Sequence, residues 1–84
     1  MVRTIQIPVD DMTLAALRRD ADGYASELRL AAAAKLYELG RVSQEVAADI
    51  AGLPRREFML ALGALGVSPF QDTPESLAAE LTRG

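Results

Sequence analysis

The stretch LYELGRVSQEVAADIAGLPRREFMLALGALGV, residues 36–67, decides the fold that we predict for this chain. Gly40 follows an apolar run and suits the left-handed residue that closes a helix. Ser43 can cap a new helix. Gly52 permits a sharp reversal, and Pro54 suits the first position of a second helix. Two short helices around a glycine-bearing turn predict a helix-turn-helix motif.

Apolar residues recur at helical spacing in both of these short helices. The first helix presents them on one face: Val46, Ala47, Ile50 and Ala51. The second helix repeats them as a stripe: Phe58, Leu62 and Leu65. A spacing of three and four residues is typical of amphipathic helices that pack against a core.

The composition predicts a single domain over residues 1–84, mainly helical. Of the 84 residues, 50% are hydrophobic and 25% are charged, as in globular chains. We divide the domain into a strand-helix-helix part (1–40), the helix-turn-helix (41–67) and a C-terminal loop and helix (68–84). No apolar run is long enough to cross a bilayer and no signal peptide opens the chain, so we expect a cytoplasmic protein without membrane contact.

The residue types that are missing argue against an enzyme. The chain has no His and no Cys, and so lacks the usual general base, the usual zinc ligands and the most reactive nucleophile. Five of its six aspartates sit where helix caps and turns are expected: Asp10, Asp11, Asp20, Asp22 and Asp72. We therefore expect no enzymatic activity, no cofactor, no metal and no small-molecule substrate.

The charge is modest and unevenly spread. A net charge of −3 argues against a protein that coats nucleic acid by bulk attraction. Residues 1–9 carry Arg3 alone, whereas residues 71–84 are acidic. A slightly basic beginning and an acidic end suggest two different partners.

The segment RTIQIPV, residues 3–9, alternates apolar and polar residues. Its two faces are Ile5, Ile7 and Val9 on one side, Thr4 and Gln6 on the other. This alternation predicts a short N-terminal β-strand. Since a lone strand cannot satisfy its backbone groups, we favour a two-stranded ribbon with a second copy about a twofold axis. The alternative is an extended, partly frayed N-terminus.

Four to five helices are predicted after the strand. Besides the helix-turn-helix pair they are a short helix from Asp10 or Asp11 to about Arg19, a helix over 24–39 after a turn at 20–23, and a last helix capped by Thr73. The helix over 24–39 has an apolar arc wide enough for two neighbours, so a second copy can cover part of it. We assign five residues to dimerisation: Ile5, Ile7, Leu30, Ala33 and Tyr37. A single broad core face is the alternative for this helix.

Several motifs together resemble a family of small, largely uncharacterised bacterial and archaeal proteins described as antitoxins. The matching segments are Leu28 to Gly40, Arg41-Val-Ser43, Ala47 to Gly52, Pro54-Arg-Arg-Glu-Phe58 and Leu62-Gly63. The likeness runs from the strand onward and is strongest over residues 28–67. This sequence departs from the pattern at Pro54, where serine or another small residue is common, and at residues 68–71.

The resemblance implies a DNA-binding antitoxin that regulates its own transcription and neutralises a partner toxin by direct binding. Members are often encoded beside a toxin with a PIN-type fold. A PIN-like toxin, operator DNA and a second copy of the chain are therefore the expected partners. For the toxin we assign three apolar residues of the C-terminal part: Phe70, Leu77 and Leu81.

Two surfaces compete as the reader of DNA. The first is the helix-turn-helix, where Arg55 and Arg56 open the second helix and could contact phosphates or base edges. They could equally be solvated helix-start residues. The second is the ribbon of a ribbon-helix-helix plan, with Thr4 and Gln6 facing the bases and Arg3 on the backbone.

A protein-interaction module that inhibits or scaffolds a partner without touching DNA is the alternative function. The overall acidity favours it, as does a second helix without Asn, Gln, Ser or Thr for base contacts.

Overall fold

The structure is a computed structural model that describes residues 1–68. Within this range four α-helices follow one another: α1 (Asp11–Leu17), α2 (Ala21–Glu38), α3 (Gln44–Ala51) and α4 (Arg55–Ala64). The prediction of a mainly helical chain is confirmed. The predicted last helix, capped by Thr73, lies outside the described residues.

The predicted N-terminal β-strand is wrong. Residues 1–10 have no regular secondary structure, and residues 1–68 contain no β-strand. A strand forms only through hydrogen bonds to a neighbouring strand, and alternation alone does not provide that neighbour. The apolar side chains of this segment stay largely in solvent, with Ile5 82% and Ile7 55% exposed. The predicted two-stranded ribbon with a second copy required this strand and is therefore wrong as well.

Aspartate caps begin the first two helices. The Asp10 carboxylate accepts a hydrogen bond from the Thr13 backbone N–H at 2.8 Å, and hydrogen bonds from the Thr13 side chain and backbone hold the pKa of Asp10 below its usual value. Asp20 accepts from the Gly23 N–H at 2.8 Å. The predicted turn at 20–23 is therefore wrong, because these residues are the cap and first turn of α2.

Two helices flank Gly52, as the sequence predicts. Ser43 caps α3 by accepting a hydrogen bond from the Val46 N–H at 3.2 Å. Gly52 ends α3 with a φ of 72°, in the left-handed region that favours glycine. Pro54 lies one residue before α4, and its carbonyl accepts the Phe58 N–H at 2.9 Å. The reversal is thus set by local residues.

The core lies where α2, α3 and α4 meet. Its fully buried or nearly buried members are Ala33, Ala34, Ala47, Ala48, Ala51, Phe58 and Leu62. Small side chains on α2 and α3 allow the two helices to approach closely, while Phe58 and Leu62 of α4 fill the remaining space. The Phe58 ring meets Tyr37 edge to face, with ring centroids 6.3 Å apart. In contrast, α1 contributes no buried residue to the described part of the fold.

Arg29 joins α2 to the C-terminal end of α3. Its Nε donates to the Ile50 carbonyl at 2.8 Å, and its Nη2 donates to the Asp49 carbonyl at 3.2 Å. The last carbonyls of a helix lack intrahelical partners and carry partial negative charge, so a guanidinium is well suited to them. Gly52 leaves room for this contact, since a Cβ there would lie 2.9 Å from Arg29 Nη1. We call this contact the Arg29 clamp.

Replacing Arg29 by Met keeps the length of the side chain but removes both hydrogen bonds of the clamp. We expect the free energy of unfolding to fall by about 1.5–2 kcal/mol, the lower part of the range for hydrogen bonds to charged groups, because the side chain is exposed. Urea denaturation followed by circular dichroism measures the loss. Arg19→Met is the matched control, since it removes a 3.6 Å surface pair with Glu27 that contributes about 0–1 kcal/mol. Equal losses in the two variants would contradict the clamp.

Candidate nucleic-acid interface

The starts of α3 and α4 lie side by side. Arg55 Nε donates to Gln44 Oε1 at 3.1 Å, and Arg55 Nη2 donates to the same oxygen at 2.7 Å. These residues are 11 positions apart and meet because the turn at Gly52 reverses the chain. With Ser43 and Glu45 they line an open cleft of about 430 Å³. We call this cleft the helix-start cleft.

The helix-start cleft combines features that suit an anion. Backbone N–H groups in the first turn of a helix lack intrahelical acceptors, and the helix dipole places partial positive charge there. The Arg55 guanidinium adds a full charge. The Glu45 carboxylate, also lining the cleft, opposes an anion. Whether the cleft attracts an anion therefore depends on whether the ligand lies closer to Arg55 and the backbone N–H groups or to Glu45.

Arg56 is the second exposed cation at the start of α4. Among residues 1–68, none forms a hydrogen bond or ion pair with its side chain. Over residues 41–57 the charges cancel, with three arginines against three acids. These residues therefore offer a polyanion the local charges of Arg55 and Arg56 but no broad basic field.

Beyond Arg55, Arg56 and the exposed acid Glu57, the outward face of α4 is apolar. Leu60 is 70% exposed, and Gly63 and Ala64 are also exposed. A Cβ added at Gly63 would meet nothing within 4 Å. Such a face allows close approach of another surface, and it could contact thymine methyl groups or another protein.

The other predicted DNA-binding residues lie elsewhere. Arg3, Thr4 and Gln6 are exposed in the extended N-terminal segment. That segment runs beside the first half of α2, because Ile5, Ile7, Val9, Tyr24 and Leu28 line one apolar groove. Gln44 instead bonds to Tyr37 near the end of α2. From Tyr24 to Tyr37 the helix rises about 20 Å, so the two predicted DNA surfaces lie near opposite ends of α2.

The residues predicted for dimerisation divide into two groups. Ile5 and Ile7 are exposed, whereas Ala33 is 0% exposed in the chain's own core. Leu30 and Tyr37 pack against that core from its edge. Of the residues predicted for dimerisation, Ile5 and Ile7 are therefore the ones left exposed to a second copy. The predicted toxin-binding residues Phe70, Leu77 and Leu81 lie outside the described residues.

Gln44 and Arg29 make contacts that the sequence does not predict. Gln44 follows the capping serine and has no local feature that separates it from an ordinary helix-start residue. Arg29 lies 20 residues or more before the carbonyls that it contacts. Neither contact has a signal in the local sequence, because both depend on how α2, α3 and α4 pack.

No three acidic, His or Cys side chains among residues 1–68 are placed to hold a metal ion. Within the same range, every helix is too short or too polar to cross a membrane.

Comparison with known proteins gives one match. No curated protein and no solved structure shows significant similarity to this chain. A family model described as an uncharacterised protein family, UPF0175, matches residues 1–83. Since the match covers nearly the whole sequence, the chain belongs to the UPF0175 family.

Proposed function

We propose that this chain is a cytoplasmic DNA-binding antitoxin that regulates its own transcription and neutralises a PIN-like toxin by direct binding. The observation that carries the DNA-binding part is the exposed Arg55–Arg56 pair at the start of α4, beside the start of α3. In helix-turn-helix proteins the second helix enters the major groove with its N-terminal residues at the base edges, while the first helix crosses the backbone. The arrangement of α3 and α4 is compatible with that docking.

Arg55 lines the helix-start cleft, and Arg56 follows it in the first turn of α4. If α4 lay in the major groove, Arg55 and Arg56 would be the first side chains to reach the DNA. The start of α3 would then face a phosphate. The small outward residues Gly63 and Ala64 would let the rest of α4 lie close to the groove floor. The ribbon is no longer a candidate reader, because the strand on which it rested is absent from residues 1–68.

A homodimer is part of the proposal. Helix-turn-helix proteins commonly bind two half-sites as symmetric dimers. Several large apolar side chains of the N-terminal part are exposed in one copy: Ile5, Ile7, Met12 and Leu17. The seven-residue α1 is too short to be stable without packing. We propose that a second copy covers this surface by side-chain packing, which requires no strand.

The antitoxin part of the proposal rests on the sequence. It is implied by the resemblance over residues 28–67 and by an acidic C-terminal part that carries the apolar residues Phe70, Leu77 and Leu81. Separate segments for DNA and for toxin would allow one chain to perform both tasks.

The double variant Arg55→Ala/Arg56→Ala tests DNA binding. We expect it to weaken binding to a duplex from upstream of the chain's own coding sequence roughly tenfold or more, because a base or phosphate contact is lost at each position. The slope of log affinity against log salt should also fall by about one for each phosphate contact removed. Electrophoretic mobility shift or fluorescence anisotropy over a series of salt concentrations measures both quantities.

The charge-matched control is Arg19→Ala/Lys35→Ala, which removes two cations that form surface pairs with Glu27 and Glu38. This control should bind DNA nearly as tightly as the unchanged chain. Equal weakening by the two double variants would mean that only net charge matters, and the assignment to α4 would be wrong.

A growth assay tests the antitoxin role. Expression of the PIN-like protein encoded beside this chain should arrest a bacterial host, and co-expression of the chain should restore growth. Leu77→Asp or Leu81→Asp should abolish the rescue, because a buried carboxylate opposes apolar docking. The Arg55→Ala/Arg56→Ala variant should still rescue growth, since it retains the C-terminal residues. Failure of the unchanged chain to rescue would contradict the antitoxin role.

A protein-interaction module without DNA binding is the second candidate. The observation in its favour is the apolar surface around the helix-turn-helix, where Leu60 is 70% and Leu65 is 50% exposed. This candidate predicts no binding to the upstream duplex even at low salt, where phosphate contacts are strongest.

A further inference from the structure

We propose that Gln44 is a positioning residue that holds Arg55 in the geometry required to read a guanine base. This inference rests on the proposed DNA-binding function and deepens it, because it names the base and divides the work between the two arginines of α4. The structural basis is a chain of contacts that runs from the core through Tyr37 and Gln44 to Arg55.

Gln44 occupies one of the two hydrogen-bonding edges of the Arg55 guanidinium. A guanidinium has five N–H donors, arranged so that two adjacent edges each present a parallel pair. Gln44 Oε1 accepts from Nε at 3.1 Å and from Nη2 at 2.7 Å, which occupies the side edge. The end edge, formed by Nη1 and the second N–H of Nη2, points away from Gln44.

Guanine matches the end edge of the Arg55 guanidinium. Guanine presents two acceptors, O6 and N7, in the major groove, and a pair of parallel arginine N–H groups matches them. Adenine presents one acceptor and one donor there, so one arginine N–H would face an N–H of the base. An Arg55 with only its end edge free therefore discriminates in favour of guanine.

Tyr37 orients the Gln44 amide. Its Nε2 donates to the Tyr37 hydroxyl at 3.0 Å, which turns Oε1 toward Arg55. The Tyr37 ring is in turn held edge to face against Phe58, a residue that is 0% exposed. Because the support begins in the core, Arg55 is oriented before DNA arrives, and less conformational entropy is lost on binding.

Arg56 provides the internal comparison. No residue in the 1–68 range supports its side chain by a hydrogen bond. A long unsupported cation suits a phosphate, which can be approached from many directions, better than a base edge. The structure therefore assigns base recognition to Arg55 and backbone contact to Arg56.

The experiment replaces guanines of the upstream duplex, one at a time, by 7-deazaguanine, which lacks the N7 acceptor. The full-length unchanged chain should lose affinity about tenfold at one guanine per half-site, the cost of one base contact. Gln44→Leu should bind the natural duplex more weakly and lose this sensitivity, because Arg55 is no longer fixed. Gln44→Glu keeps an acceptor for Arg55 and should retain the sensitivity, while Arg56→Ala should weaken binding to both duplexes equally.

The outcomes separate this inference from the proposed function. If the unchanged chain does not bind the upstream duplex at low salt, the proposed function fails and this inference fails with it. If Arg55→Ala weakens binding but Gln44→Leu keeps full sensitivity to 7-deazaguanine, only this inference is overturned. Should Gln44→Leu be poorly folded by circular dichroism, Tyr37→Phe replaces it. That variant keeps the ring contact with Phe58 but loses the hydroxyl, and its sensitivity should fall; undiminished sensitivity would overturn the inference.

Discussion

The Arg29 clamp is the contact on which the arrangement of the other helices depends. The eight residues of α3 and the ten of α4 are too few to form stable helices alone in water, so packing must hold them. Alanines on α2 and α3 bring those helices together, but small side chains provide little apolar area and little directional preference. Hydrogen bonds from Arg29 to the Asp49 and Ile50 carbonyls fix the end of α3 against α2, and with it the turn at Gly52.

The opposite end of α3 is fixed by different chemistry. Ser43 caps the first turn, and Gln44 links Tyr37 of α2 to Arg55 of α4. Each end of α3 is therefore attached to α2, one by a cation on carbonyls and the other by an amide on a hydroxyl. This double attachment fixes the angle at which α4 leaves the turn, and consequently the position of the arginines that we propose contact DNA. The residues that hold α3 in place, Tyr37 among them, would therefore also support the DNA surface that we propose.

What could be predicted from the sequence was local. Ser43 and Gly52 act on neighbours within a few residues, and each has the predicted place in the structure. The helical spacing of the predicted stripe is also a local signal, and it places Phe58 and Leu62 in the core, whereas Leu65 of the same stripe is 50% exposed. Asp20 was assigned to a turn because the same carboxylate can support a turn or a helix cap, and only the continuation into α2 separates them. The prediction of a strand at residues 3–9 is wrong because period-two alternation describes only the side chains, whereas a strand requires a backbone partner. The contacts of Gln44 and Arg29 could not be predicted from the sequence, since their partners are set by packing between helices.

We propose that the paired starts of α3 and α4 form the DNA surface. Titration of the isotopically labelled full-length chain with its upstream duplex at low salt, followed by amide chemical shifts in NMR spectra, tests it most directly. We predict that the largest changes in chemical shift among residues 1–68 fall at 43–46 and 55–60, with smaller changes along residues 3–9. Changes concentrated in residues 3–9, or none at a duplex excess, would contradict it.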